Sequence, residues 1–180
     1  MSAGIVLWFL ALGLGFHNIL AWEATPGPGS QKRPVMDMAK GRPALVVVLH
    51  SMCPCSLGTV ANLHYLTPAQ SRKIDVTLVV TGPHCRTSAV AVQAGRVPRA
   101  HLRFLTEDRV IAEYGALTSG QAYLFDQSGA LVFAGGLTDS RGCQGQSRGM
   151  KAVTDTIAGK PCVKALPVFG CPVRTPRRLA

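Results

Sequence analysis

Apolar residues fall first into one long block and then into short, regularly spaced runs. From Gly4 to Trp22 the sequence GIVLWFLALGLGFHNILAW carries no charge, interrupted only by the polar side chains of His17 and Asn18. As a helix, a run of that length spans the hydrocarbon core of a bilayer. Residues 23–43, EATPGPGSQKRPVMDMAKGRP, hold Pro, Gly and polar groups without periodicity, which is the composition of a flexible linker. A domain begins near Ala44, where ALVVVL (44–49) has the β-branched continuity of a strand buried on both faces.

From there strands and helices alternate. Residues 56–66 place Leu57, Val60, Leu63 and Leu66 at helical spacing, and IDVTLVV (74–80) reads as a second buried strand. TSAVAVQAG (87–95) predicts a helix ending at a glycine, and HLRFL (101–105) a short strand. EDRVIAEYGA (107–116) follows as a helix with acidic residues in its first turn. QAYLFD and ALVFAGG, joined by QSG, carry the clearest hairpin signal, and a last helix covers about 148–158. This order predicts an α/β domain, a mixed central sheet flanked by helices, preceded by one N-terminal transmembrane helix. The expected divisions are an anchor or signal segment (1–22), a flexible linker (23–43), the domain (44–160) and a Pro/Arg-rich tail (161–180).

Charge adds little about the fold and more about surroundings. The net charge of +10 is concentrated at the end, where Arg141, Arg148, Lys151, Lys160, Lys164, Arg174, Arg177 and Arg178 face Asp155 alone. Such a tail suits an anionic membrane surface or an acidic partner. No zinc-finger, helix-turn-helix or aromatic RNA-binding pattern accompanies it, so no nucleic-acid partner is expected. Cleavage of the first segment after Ala21 would leave Ile19 where a small residue is preferred, which favours a retained anchor through residues 4–22. Lys32 and Arg33 follow that segment, so the positive-inside rule does not decide its orientation. The domain is expected outside the cytoplasm because anchor and signal peptide alike are export signals.

The first strand runs into Cys53-Pro54-Cys55 and a helix, an arrangement that resembles the thioredoxin superfamily. EYGALTSGQAYLFDQSGALVFAGG resembles the terminal hairpin region of membrane-anchored, extracytoplasmic thioredoxin-like reductases. More narrowly HSMCPCS, TSGQ, GGLTDSRG and PVFGCP resemble the RedB group of thioredoxin-like membrane proteins, over about residues 44–172. The resemblance implies a thioredoxin-like fold and cofactor-free thiol–disulfide exchange with exported or membrane proteins. By analogy Cys53 is the outer nucleophile and Cys55 the resolving thiol. Two departures stand out. One residue separates the cysteines instead of two, and Gly120 stands where the family's cis-proline would present a substrate strand and keep metals off the dithiol.

The residues themselves support redox chemistry. A thiol at a helix N-terminus faces free N–H groups and the positive end of the dipole, which favours the reactive thiolate. A disulfide between Cys53 and Cys55 would close a small, strained ring and restrain almost no chain entropy, so stapling is a poor reason for the pair. His50, three residues before Cys53, reads either as a group that stabilises the thiolate and moves protons or as a solvated strand end. Cys162 and Cys171, in KPCVKALPVFGC, are expected to form a structural disulfide. Cys85 and Cys143 are further redox thiols or ordinary loop cysteines, and Asp126 a turn residue.

Two other classes remain open. Cys53 and Cys55 with His50 and His84, or with Met52, form a soft donor set suited to Cu(I) delivery. A non-catalytic membrane assembly protein would use the basic loop and tail to bind its partner. Peroxidase chemistry is disfavoured because His50 occupies the position at which a threonine is expected.

Overall fold

The computed structural model describes residues 3–30, 34 and 41–174. Helix α1 (Ala3–Ala24) is the apolar block, and its stretch Gly4–Ala24 is long and apolar enough to cross a membrane or to serve as a signal segment. The domain follows as β1 (Ala44–His50), α2 (Pro54–Leu63), α3 (Pro68–Ser71), β2 (Asp75–Thr81), α4 (Ala89–Ala94), β3 (Ala100–Phe104), α5 (Glu107–Tyr114), β4 (Gln121–Phe125), β5 (Leu131–Gly136) and α6 (Arg148–Ile157). The strand order is β3-β2-β1-β4-β5. β1, β2 and β3 are parallel, β4 pairs antiparallel with β1, and β5 pairs antiparallel with β4. Each element expected from the pattern is present, and the short α3 is an addition capped by Thr67 and Gln70.

β1 is central and buried at every position because both faces of the sheet are covered. Leu45, Val47 and Leu49 pack with Val60 and Leu63 of α2, Ala91 of α4 and Val153 of α6. Val46 and Val48 pack on the other side with Val110 and Tyr114 of α5 and with Tyr123. Burying a side chain of this size fully contributes roughly 1.5–3 kcal/mol, so β1 is the chief anchor for whatever sits at its carboxyl end.

Two expected boundaries shift. Residues 25–30 of the expected linker are tied to the domain. Gly27 N–H donates to the Val168 carbonyl (2.8 Å), Thr118 Oγ1 to the Pro28 carbonyl (2.7 Å), and Ser30 Oγ to the Gly115 carbonyl (3.1 Å). Residues 31–33 and 35–40 of the linker lie outside the described residues.

The expected tail is also part of the domain as far as Val173, which is fully buried beside Tyr114 and Tyr123. Its backbone follows the outer edge of β5. Ala134 N–H donates to the Lys164 carbonyl (3.0 Å) and Gly136 N–H to the Pro167 carbonyl (3.1 Å). The approach needs small residues on β5, because a Cβ on Gly136 would stand 2.7 Å from the Pro167 oxygen. The pattern gave no strand signal here because Pro161, Pro167 and Pro172 interrupt it. Residues 175–180, with Arg177 and Arg178, lie outside the described residues.

Tyr123 ties the docked segments together: its hydroxyl donates to the Tyr114 carbonyl (2.7 Å) and lies 2.9 Å from Ser30 Oγ. Burial pushes its pKa from 10 up to about 12. An acid held neutral in the fold stabilises it fully below its unfolded pKa, and that contribution is lost as pH rises through the folded value. A shift of this size corresponds to about 3 kcal/mol. Denaturant midpoints should therefore fall above pH 10, and Tyr123→Phe should flatten the fall. An identical alkaline slope in the variant would rule Tyr123 out as its source.

Candidate functional site

β1 delivers the chain to the top of the sheet, where Ser51 and Met52 turn it into α2. Cys53 is the N-cap of α2, Pro54 its first residue, and no side chain satisfies the amides of the first turn. The amides of Cys55 and Ser56 face the Cys53 sulfur, and Ser56 N–H also donates to the Cys53 carbonyl (3.0 Å). Pro54 suits this place because its fixed φ begins a helix and its missing N–H would have had no helical partner. Beneath the turn lies a buried polar knot. His50 N–H is shared between Ser119 Oγ (2.9 Å) and Ser56 Oγ (3.2 Å), the two hydroxyls are 2.7 Å apart, and Ser56 Oγ donates to the His50 carbonyl (3.1 Å). Gly120 N–H donates to the Val48 carbonyl (2.7 Å), so the turn before β4 is fixed against β1. The peptide bonds of the described residues are all trans, and Gly120 has φ +89°, a conformation glycine adopts without steric penalty.

The thiols that meet here are Cys53, Cys55 and Cys171, whose sulfurs all lie within 4.8 Å of one another. The sulfurs of Cys53 and Cys171 are 2.8 Å apart, and Cys171 N–H donates to Cys53 Sγ (3.3 Å). Cys171 arrives on the docked tail, which runs antiparallel to the turn before β4. Ser119 N–H donates to the Cys171 carbonyl and Val173 N–H to the Leu117 carbonyl, each at 2.8 Å, with Thr118 bridged to Pro172. Gly170 makes the approach possible, since a Cβ there would overlap the Ser119 carbonyl oxygen.

This corrects the expected Cys162–Cys171 disulfide. Both thiols are free, and Cys162 packs on the far side of β5, accepting from Thr156 Oγ1 (3.5 Å). Backbone pairing along β5 carries the chain between them from one side of the sheet to the other. Cys85 is half-buried against the core in the loop after β2, and Cys143 faces the Gln144 carbonyl in the loop before α6; neither belongs to the three-thiol group.

The histidines stand apart from the sulfurs. His50 is buried, with Nε2 3.3 Å from Glu107 Oε1 and Nδ1 accepting from Met52 N–H (3.3 Å). Its ring therefore links the end of β1 to the start of α5. His84 is exposed after β2, at φ +50°. The donor set at the turn is accordingly all sulfur, with Cys171 in the place that His50 and His84 were expected to fill.

Electrostatics separates the thiols, favouring ionisation of Cys53 and opposing that of Cys55 and Cys171. Burial alone would raise the Cys53 pKa. The S–H and N–H of Cys171 and the amides of Ser56 and Cys55 outweigh it and hold Cys53 below its usual value. Burial, then the charge of and hydrogen bond to Cys53, raise Cys55 against the opposing pull of Arg141. Burial and the same neighbour push Cys171 up to about 12.

Arg141 is the cation of the site. It donates from Nε to the Trp22 carbonyl (3.1 Å), from Nη2 to the Thr25 carbonyl (3.2 Å) and from Nη1 to the Gly170 carbonyl. Its guanidinium also lies 4.6 Å over the Trp22 ring. The end of α1 and the Cys171 segment thus share one side chain. Sequence reasoning missed Arg141 by counting it only as bulk charge, and it missed Cys171 by pairing it with its neighbour in sequence. Ser56, Ser119 and Glu107 gave no signal beyond ordinary helix-start and turn residues.

No protein-family model matches the chain, and no curated protein matches its sequence. Solved structures do share its fold. An uncharacterised conserved protein from Geobacillus kaustophilus is 17% identical, with 86% of this chain and 92% of that one covered and a TM-score of 0.60. A hypothetical protein from Sinorhizobium meliloti 1021 is also 17% identical, covering 85% and 97%, with a TM-score of 0.58. A candidate thioredoxin from Neisseria meningitidis is 11% identical, covering 67% and 77%, with a TM-score of 0.50. The fold is thioredoxin-like, as the strand-turn-helix around Cys53 implied. Within that fold, the chain carries a three-cysteine cluster at the amino end of α2 that could hold a metal ion.

Proposed function

We propose that the chain is a membrane-anchored thiol–disulfide oxidoreductase of the RedB-like kind, with its domain outside the cytoplasm and Cys53 as the attacking thiol. One observation supports the reading: the Cys53 sulfur sits at the start of α2, where its neighbours lower its pKa, with the thiols of Cys55 and Cys171 within 4.8 Å. The thiolate attacks one sulfur of a partner's disulfide, a Cys53–partner bond forms, and the other partner sulfur leaves and takes up a proton. A second thiol of this chain then attacks Cys53, giving an internal disulfide and the reduced partner. The reverse sequence oxidises a partner. His50 acts as a positioning residue, holding the turn through Met52 and Glu107. A redox titration of the purified protein with thiol trapping of each cysteine tests the reading, and absence of any exchange with insulin-type substrates over a range of redox buffers would sink it.

The all-sulfur donor set favours one second reading, Cu(I) binding. Cys53, Cys55 and Cys171 would hold the ion, as soft thiolates suit it and no carboxylate or imidazole joins the group. Binding requires Cys55 and Cys171 to lose their protons, so affinity would fall with acidification. Tight Cu(I) binding without exchange activity would choose this reading over the first.

The membrane part of the proposal rests on α1, whose stretch Gly4–Ala24 is long and apolar enough to cross a membrane and exposes its large apolar side chains. Retention of the anchor predicts that N-terminal sequencing of membrane-extracted protein begins at or near the initiating residue. A mature terminus near Trp22 on a soluble protein would show that the segment is a cleaved signal.

A further inference from the structure

We propose that Cys171, not Cys55, is the resolving thiol, and that oxidation joins Cys53 to Cys171 across the turn before β4. The inference rests on the oxidoreductase reading and assigns the second half of its reaction. The two sulfurs are already 2.8 Å apart, against about 2.04 Å in a disulfide. Backbone pairing at Ser119 and Leu117, the buried Val173 behind it and the missing side chain of Gly170 hold Cys171 in that position. A resolving thiol has to be delivered to the attacking one without a search, and this segment is so delivered.

Cys55 is less suited. Closing Cys53 to Cys55 spans one residue, and that residue is Pro54, whose ring fixes φ while Cys55 is already committed to the first turn of α2. Cys171 lies outside any helix, on a segment paired to the turn before β4 by backbone hydrogen bonds, so small adjustments do not unwind a helix.

The chemistry can be written with glutathione disulfide as the oxidant. The Cys53 thiolate attacks one glutathione sulfur, forming a Cys53–glutathione disulfide and releasing a glutathione thiolate, which takes the proton from Cys171. The Cys171 thiolate then attacks the Cys53 sulfur. A Cys53–Cys171 bond forms and the second glutathione leaves as a thiolate. Two cysteines are oxidised and one glutathione disulfide is reduced to two glutathione molecules. Once Cys53 is in the mixed disulfide, the negative charge that opposed ionisation of Cys171 is gone, and Arg141 remains beside it.

The full-length protein, purified in detergent, reduced, and equilibrated with graded ratios of reduced to oxidised glutathione, provides the test. Free thiols are alkylated and disulfides mapped by mass spectrometry. The expected product links Cys53 to Cys171 with Cys55 alkylated. Cys55→Ser should retain that link, and Cys171→Ser should accumulate the Cys53–glutathione disulfide. A Cys53–Cys55 link in the wild-type protein with Cys171 alkylated overturns the proposal, as does the lack of any internal disulfide at the most oxidising ratio. These readouts need no partner protein. A Cys53–Cys171 link without insulin-type exchange would therefore remove the oxidoreductase reading alone, and exchange through Cys53–Cys55 would remove this inference alone.

Discussion

Cys53→Ser is expected to reduce disulfide exchange to the uncatalysed background, the largest functional effect of any single change in the chain. The reason is that three properties meet on one sulfur: the first turn of α2 faces it, Cys171 meets it with both its N–H and its sulfur, and both other thiols of the cluster are raised. A serine hydroxyl ionises far outside the working pH range and is no nucleophile toward a disulfide. Cys55→Ser differs because it keeps the backbone N–H that faces Cys53, so the lowering of the Cys53 pKa survives. The rate of iodoacetamide alkylation against pH separates the cases. In the wild-type protein a reactive fraction should persist below the ordinary thiol value of 9, Cys55→Ser should preserve it, and Cys53→Ser should remove it. Residual fast alkylation in Cys53→Ser would place the active thiol elsewhere.

Gly170→Ala is expected to have the second-largest effect, and on two measurements together. The added methyl group meets the Ser119 carbonyl oxygen, a rigid backbone atom, so the Cys171 segment has to move away from the turn. Overpacking of this kind costs roughly 1–3 kcal/mol, which a denaturant midpoint reads. The displaced segment also withdraws the S–H and N–H of Cys171 from Cys53, so the pKa of Cys53 should rise. A depressed thiol stabilises the fold at pH values above its unfolded pKa, and that gain disappears as pH falls through the folded value. The variant should therefore lose stability relative to the wild type mainly at alkaline pH, beyond the uniform packing cost. An unaltered alkylation profile for Cys53 in Gly170→Ala would mean that Cys171 does not tune it.

The parts of the fold readable from sequence are those where burial leaves a mark on adjacent residues. The apolar continuity of 44–49 marks a central strand, and the helical spacing from Leu57 onward marks the helix behind Cys53. The site was legible only on that side. Cys171 is 118 residues from Cys53, and nothing in a local window signals a contact over such a separation. The segment carrying it has no alternation, since it is held by its backbone and by Val173 rather than by a repeating apolar face. Arg141 is similar: its role depends on carbonyl groups of Trp22, Thr25 and Gly170, which every residue possesses. His50 was correctly placed at the strand end, but Glu107, its ring's partner, looked like no more than a first-turn acid of α5.

The course of the chain after α6 bears on self-association. β5 closes one side of the sheet, and an uncovered edge there would offer unpaired amides and carbonyls to a second copy. Residues 164–167 occupy part of that edge, taking the N–H groups of Ala134 and Gly136. On the opposite border, β3 carries the exposed side chains of His101 and Arg103, polar groups that discourage stacking. The same stretch of chain that brings a thiol to Cys53 therefore also guards the sheet against growing by addition of strands.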